Sequence, residues 1–293
     1  MIQKYLQILN KKRVEILSIF SAIIVWLHKK RVEILSIFSA IVVWQIIAAY
    51  IVQNKFFLPS FTDTVFAFIE IISRDANLAI MGLDMQVPVL FLDLLYSLMY
   101  FGIGLLSALA IGIPIGMIMG WFPTIERMLD SLVELIRPIP PLAWIPFAII
   151  WIGLNPFAAG FLIFIGAVFP IMINTFTGFK GVSKVYVEAA KVLGCNTNME
   201  LIRYVALPSA LPSIAAGIRI AMGVGWMCLV AAEMFGVGRY GLGYQMWRSS
   251  DLHRMDFVLV YMLILGFLGL LIDRLLRYYI DGKLLKWRKG VVI

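Results

Sequence analysis

The sequence predicts an all-α polytopic membrane protein with six transmembrane helices. Of its 293 residues, 62% are hydrophobic and only 14% charged, and the mean hydropathy is +0.93. A soluble chain of this length needs far more charge to cover its surface. Apolar runs of about 20 residues recur along it, the length that crosses a bilayer as a helix. The formal net charge is +8, but Lys and Arg cluster in loops and tails beside the apolar runs. That distribution fits orientation in a lipid bilayer, and no nucleic-acid partner is expected. Cys195 and Cys228 belong to no CxxC or Cys/His cluster, and His28 and His253 are isolated. Neither a disulfide framework, a metal site nor a cofactor is expected.

The elements follow in order. KKRVEILSIFSAIIVW at Lys11–Trp26 recurs with one conservative change at Lys29–Trp44. The second copy continues apolar, so Ile34–Val52 is long enough to be the first span. The first copy stops at Leu27, and Val14–Leu27 would rise only about 21 Å against about 30 Å of hydrocarbon. It is read as a tandem duplication without function of its own, lying in or near the cytoplasmic interface. Residues 1–31 are then an N-terminal extension and 32–293 the membrane domain. The extension resembles a signal peptide, but no small-residue cleavage site follows it. Pro59–Arg74 carries Asp63 and Glu70 among apolar residues at helical spacing, which predicts an amphipathic helix on the membrane surface.

The second span is Val89–Met119. Gly104, Ala108, Gly112, Gly116 and Gly120 recur every fourth residue and form one smooth stripe for close helix packing; Pro114 can kink this helix. The third is Arg137–Asn155. Pro138, Pro140, Pro141 and Pro146 prevent one continuous helix, and two readings stay open. Broken backbone at membrane depth marks a pathway or gate; alternatively the prolines simply begin the helix at the interface. Pro140 and Pro141 are therefore candidate pathway residues. The fourth span is Pro156–Phe176, the fifth Ser213–Phe235 and the sixth Phe257–Tyr278. The fifth carries a second small-residue stripe, Gly217, Ala221 and Gly225. It also carries Arg219 and Glu233. Intramembrane charges are expensive and point to function, so both are candidate pathway residues, although each sits near a span end from which it can snorkel.

Six spans put both termini on one side. Basic residues crowd the N-terminus, the segment between spans four and five and the C-terminal tail, which places all three in the cytoplasm. Between spans four and five lies Ser183–Pro212, SKVYVEAAKVLGCNTNMELIRYVALPSALP. Ser183 can cap a helix Lys184–Leu193, and Gly194 can end it in a left-handed cap. Thr197 with Glu200 forms a potential capping box for a second helix. Pro208 and Pro212 then redirect the chain into span five.

This segment resembles the EAA signature of ABC-importer permease subunits. Glu188, Ala189, Ala190, Gly194, Val205, Leu207 and Pro208 fit the pattern, with one departure: ten residues separate Gly194 from Val205, one more than the family pattern. RPIPPLAWIP with IWIG, and GIRIAMGVGWMCLVAAEMFG with GLGYQM, resemble the nitrate/sulfonate/taurine-type branch. The resemblance implies a type I importer permease fold of the MetI-like kind in a prokaryotic inner membrane. It implies two permease copies, a homodimer being favoured, lining a pathway; two ATP-binding subunits, into which the EAA loops 183–212 insert; and an extracytoplasmic substrate-binding protein. It further implies a small anion as substrate, such as nitrate, a sulfonate, taurine or bicarbonate. The chain itself is expected not to be an enzyme: it has no GxxxxGK[ST] and no nucleophile–base set. Two alternatives fit less well. An ion-coupled carrier would show mid-membrane relays and symmetric halves, and neither is visible. A membrane scaffold recruiting a soluble partner would leave the proline-broken third span unexplained.

Overall fold

The computed structural model describes residues 31–80, 83–236, 240–280 and 282; the first copy of the duplicated segment and the basic C-terminal tail lie outside them. Packing divides the chain into two units at Val65/Phe66.

In the first unit, α1 (Arg31–Ile46) passes into a π-helical stretch, Ile47–Val52. Left-handed Gln53 closes it, its N–H donating to the Ala48 carbonyl. The next helix, α2 (Phe61–Ile72), starts beside this span. Trp44 Nε1 donates to the Pro59 carbonyl (3.1 Å), and the Gln45 side chain holds Thr62. Asp63 is tied to Lys55 at 2.6 Å and to Ser60. These donors hold its carboxyl below the ordinary aspartate range.

The second unit contains the rest of α2, a hairpin β1 (Asp75–Ile80) and β2 (Leu83–Pro88), and α3 (Val89–Trp121). Then come α4 (Pro123–Ile136), a 3-10 turn Pro141–Trp144, α5 (Ile145–Ile152) and α6 (Pro156–Lys180). The remaining helices are α7 (Lys184–Val192), α8 (Asn198–Leu201), α9 (Leu207–Met234), α10 (Leu242–Asp251) and α11 (Met255–Tyr279). The hairpin is a departure from the expected all-helical chain. Its antiparallel register runs from Asp75 opposite Pro88 to Ile80 opposite Leu83. It is too short to change the fold class.

Among the described residues, five helices are long and apolar enough to cross a membrane. A sixth crossing exists only if α4 and α5 count together, and they are bent by 84°. The expected third span, Arg137–Asn155, is thereby corrected. Helix α5 has 8 residues, a rise of about 12 Å, and needs the amphipathic α4 to complete a crossing. The fifth span is corrected too. It does not begin at Ser213 after a turn at Pro208 and Pro212; helix is continuous from Asn198 to Met234. A π turn at Ile202–Ala206 separates α8 from α9, and Leu207 N–H reaches back to the Ile202 carbonyl. This wide turn ends two residues before Pro208, which lacks the N–H a regular helix would use.

Helix α6 is the centre of the unit. The stripe on α3 is buried against it. A Cβ on Gly104 would lie 2.4 Å from the Ile163 Cβ, one on Gly116 2.3 Å from the Met172 carbonyl oxygen, and one on Gly120 2.5 Å from the Phe179 Cβ. On the other side, a Cβ on Gly217 of α9 would lie 2.7 Å from the Asn174 Cβ and 2.9 Å from the Pro170 carbonyl oxygen. Ala108, Ala167, Ile171 and Ala221, all fully buried, join the three helices in one core. Asn155 caps α6, accepting from the N–H groups of Phe157 and Ala158. A separate core of Ala67, Ile71, Leu242, Phe257, Tyr261 and Leu265 holds α2, α10 and α11 together.

Candidate functional site

The segment Ser183–Pro212 is built as two helical pieces around an elbow. Ser183 occupies the first cap position, but its hydroxyl makes no capping bond; its carbonyl accepts from Tyr186 and Val187. Helix α7 ends in a Schellman motif: Cys195 N–H donates to the Ala190 carbonyl and Gly194 N–H to that of Lys191. Gly194 has φ 102°, where a side chain would be strained. The capping box forms as expected. Glu200 N–H donates to Thr197 Oγ1 at 3.3 Å, and Thr197 N–H returns to Glu200 Oε2 at 3.0 Å.

The elbow folds α7 back over the π turn and leaves a cleft of about 520 Å³. Ala189, Ala190, Val205 and Pro208, four residues of the EAA pattern, line it together with Tyr186 and Tyr204. Leu207 is half-buried and packs behind the cleft against Phe179, Ala206 and Ala210, anchoring the segment to α6. Tyr186 and Leu193 at the cleft, and Val192 and Met199 elsewhere on the segment, are exposed. Glu188 is exposed and, among the described residues, has no ion pair. A segment that exposes large apolar side chains and an unpaired carboxylate has the composition of a surface that accepts a partner.

The four candidate pathway residues are not gathered in one place. Pro140 is exposed and Pro141 half-buried, at the α4–α5 bend. The Pro141 ring lies beside Gly166 of α6, where Cys228 of α9 also approaches. Arg219 is half-buried and lines a cleft of about 290 Å³ with Phe101, Trp226 and Asp273. Glu233 lies about 21 Å farther along α9 and is 1% exposed.

Glu233 instead belongs to a buried polar knot. Ser97 Oγ donates to Glu233 Oε1 (2.6 Å), and Gly243 N–H donates to Glu233 Oε2 (2.8 Å). Leu242 N–H donates to Ser97 Oγ (3.0 Å) and Gly241 N–H to Asp93 Oδ1 (3.1 Å). Two carboxylates and a hydroxyl, supplied by α3 and α9, thus satisfy the first amides of α10, the end of a helix that favours negative charge. Gly241 is required here: its φ is 143°, and a Cβ would sit 2.7 Å from the Glu233 carboxyl. Sequence reasoning singled out Glu233 but not Asp93 or Ser97. Asp93 did carry a signal, as a lone carboxylate inside an apolar run.

Comparison with known proteins agrees with this architecture. The family model described as binding-protein-dependent transport system inner membrane component matches residues 112–283. A protein of Methanocaldococcus jannaschii, provisionally named an ABC transporter permease, is 48% identical over 64% of this chain and 69% of its own length. The taurine transport system permease protein of Escherichia coli is 35% identical over 64% of this chain and 68% of its own. In fold, the chain is similar to one from inward-facing structures of the methionine ABC transporter MetNI. That similarity has a TM-score of 0.50 at 22% identity, covering 64% of this chain and 96% of that one. The chain belongs to the family of binding-protein-dependent transport system inner membrane components, and it is the membrane permease subunit of an ABC importer whose ATP hydrolysis resides on a separate ATPase.

Proposed function

We propose that Ser183–Pro212 is the surface through which the ATPase drives this permease. Helix α7 with Glu188 docks, Gly194 is the elbow, and the continuous helix from Asn198 carries the displacement into the bundle. The observation that carries this reading is the cleft between α7 and the π turn. It brings Ala189, Ala190, Val205 and Pro208 together, and the segment leaves exposed apolar side chains and the Glu188 carboxylate without a partner among the described residues. The basic residues flanking the segment support a cytoplasmic location for it and for both termini. Two permease copies, as a homodimer, would line the pathway between two ATPase subunits and an external binding protein. Residues 32–293 form the permease domain, and 1–31 an extension to it. The substrate is a small oxyanion; the likeness to a taurine permease and Arg219 in its cleft support that class.

The experiment is reconstitution with the ATPase and binding protein. Glu188→Arg and Gly194→Asp should insert normally yet lose transport by tenfold or more, about the cost of one broken charged contact or strained turn. Wild-type transport by both variants would sink the coupling role. In the same system, unchanged oxyanion transport by Arg219→Gln would remove Arg219 from the pathway.

A further inference from the structure

Apart from the coupling cleft and the residues of the buried knot, the second unit encloses a polar cavity of about 520 Å³ between the end of α2, the start of β1, α10 and the start of α11. Its walls carry three guanidiniums, Arg74, Arg248 and Arg254, and the side chains of Gln245, Ser249 and Tyr261. Two of the guanidiniums are fixed in place. Arg74 and Arg254 both lie over the Phe257 ring, at 4.4 and 3.9 Å from its centroid. Glu70 ties them together, at 2.8 Å from Arg74 and 3.0 Å from Arg254, and Asp256 holds Arg254 at 2.8 Å. Neither Glu70 nor Asp256 lines the cavity. Among the described residues, the one acidic side chain in the lining is Asp75, against three guanidiniums, so this lining carries net positive charge.

Two further donors wait inside. Tyr261 is 3% exposed and Ser249 6% exposed. Among the described residues neither hydroxyl makes a hydrogen bond, and neither oxygen is sealed off: both residues line the cavity. Arg248 makes no ion pair at contact distance among the described residues, and the carboxylate its charge acts on is Asp93 of α3. Gln245 is already occupied, donating from its amide to Asp93 Oδ1 at 3.3 Å. What is left unused in this cavity, among the described residues, is a set of donors: the N–H groups of Arg248, the spare N–H groups of two anchored guanidiniums, and two hydroxyls. Their natural complement is a compact group that only accepts hydrogen bonds and carries negative charge. The volume suits a molecule of several heavy atoms.

We propose that this cavity binds a small soluble oxyanion, a sulfonate or an inorganic anion of sulfate type. Arg248 and Tyr261 are its principal donors, and Arg74 and Arg254 its fixed electropositive wall. The site is distinct from the Arg219 cleft and from the coupling segment, and it stands whether or not those regions act as proposed above.

The test is direct binding to the purified full-length chain in neutral detergent. Sodium sulfate and methanesulfonate are titrated against sodium chloride at matched ionic strength and followed by calorimetry. Saturable binding with one site per chain is expected. Arg248→Gln should weaken it about tenfold or more, and Tyr261→Phe severalfold, as loss of hydrogen bonds to a charged ligand does. Arg127→Gln, on α4, should leave affinity unchanged. If Arg248→Gln does not yield a monodisperse protein, Tyr261→Phe, which removes one oxygen, decides alone. Absence of saturable heat with both anions would overturn the proposal, as would affinity undiminished in the variants. Binding abolished by phosphatidylglycerol added to the micelle would also overturn it, because the site would then belong to a lipid headgroup.

Discussion

Single atoms decide much of this molecule. Gly116 and Gly102 sit on the same helix, yet a Cβ would meet the Met172 carbonyl oxygen at 2.3 Å on the first and nothing within 4 Å on the second. Gly116→Ala should therefore destabilise the protein by about 1–3 kcal/mol through overpacking. Gly102→Ala should stabilise it by about 0.5–1 kcal/mol by removing glycine from a helix interior. Thermal unfolding in detergent compares the two. Glu70 offers a pH test. Its carboxyl is held below the ordinary value of 4.5, first by Arg254 and then by Arg74, and Arg254 in turn is held protonated more firmly by Asp256 and Glu70. A carboxylate with a lowered folded pKa contributes its stability above the unfolded pKa and loses it as pH falls through the folded one. Stability should accordingly be flat above about pH 5 and drop in more acidic solution. Glu70→Gln should flatten part of that acid limb when unfolding is followed from pH 6 to pH 3. The pair is half-exposed, so the change will be small.

At the scale of elements, the π turn explains the departure in spacing. A π turn holds one residue more than the α-helical turn it replaces. The chain has one residue more than the family pattern between Gly194 and Val205, and the π turn occupies Ile202–Ala206, at the end of that interval. The surplus is thus taken up inside the helix, and Ala189, Ala190, Val205 and Pro208 still line one cleft. Deleting Arg203, an exposed residue of the π turn, should restore a regular helix and leave transport within a few-fold of wild type in the reconstituted importer. Complete loss of transport with normal insertion would show that the π turn itself is needed. The bent α4–α5 pair makes the opposite point. There the prolines break the helix, because the following 3-10 turn at Pro141–Trp144 is packed on α6, with Trp144 edge-on to Phe161 at 6.5 Å.

For the molecule as a whole, orientation can be tested with the chain's own thiols. Cys195 is half-buried in the coupling segment, whereas Cys228 is buried between α6 and α9. With Cys228 replaced by Ala, a membrane-impermeant maleimide should label Cys195 in inside-out vesicles and not in right-side-out ones. Labelling in the reverse pattern would overturn the cytoplasmic assignment. Much of the architecture was legible in the sequence because it is written locally. Apolar runs marked α1, α3, α6, α9 and α11, four-residue spacing marked the α3 stripe, and Thr197 with Glu200 marked the start of α8. What sequence reading missed is non-local. The knot joins Ser97 to Glu233 and Gly241 to Asp93 across more than a hundred positions, and the oxyanion cavity gathers Arg74 with Arg248 and Arg254. No period or cap announces such meetings. The hairpin escaped for a different reason: its strands have 6 residues each, too short for alternation to stand out between two strong helices.

The two glycine-lined faces that meet on α6 also impose an order on the birth of the protein. Helix α3 leaves the ribosome before α6, and α9 follows later. At roughly 5–20 residues per second of synthesis, the glycine face of α3 spends about 3–12 s without its partner. The nascent chain must hold that groove open in lipid, or against the insertion machinery, until α6 arrives, and α6 must then wait in turn for α9. The closest packing in the finished permease therefore depends on a helix that is late for one neighbour and early for the other.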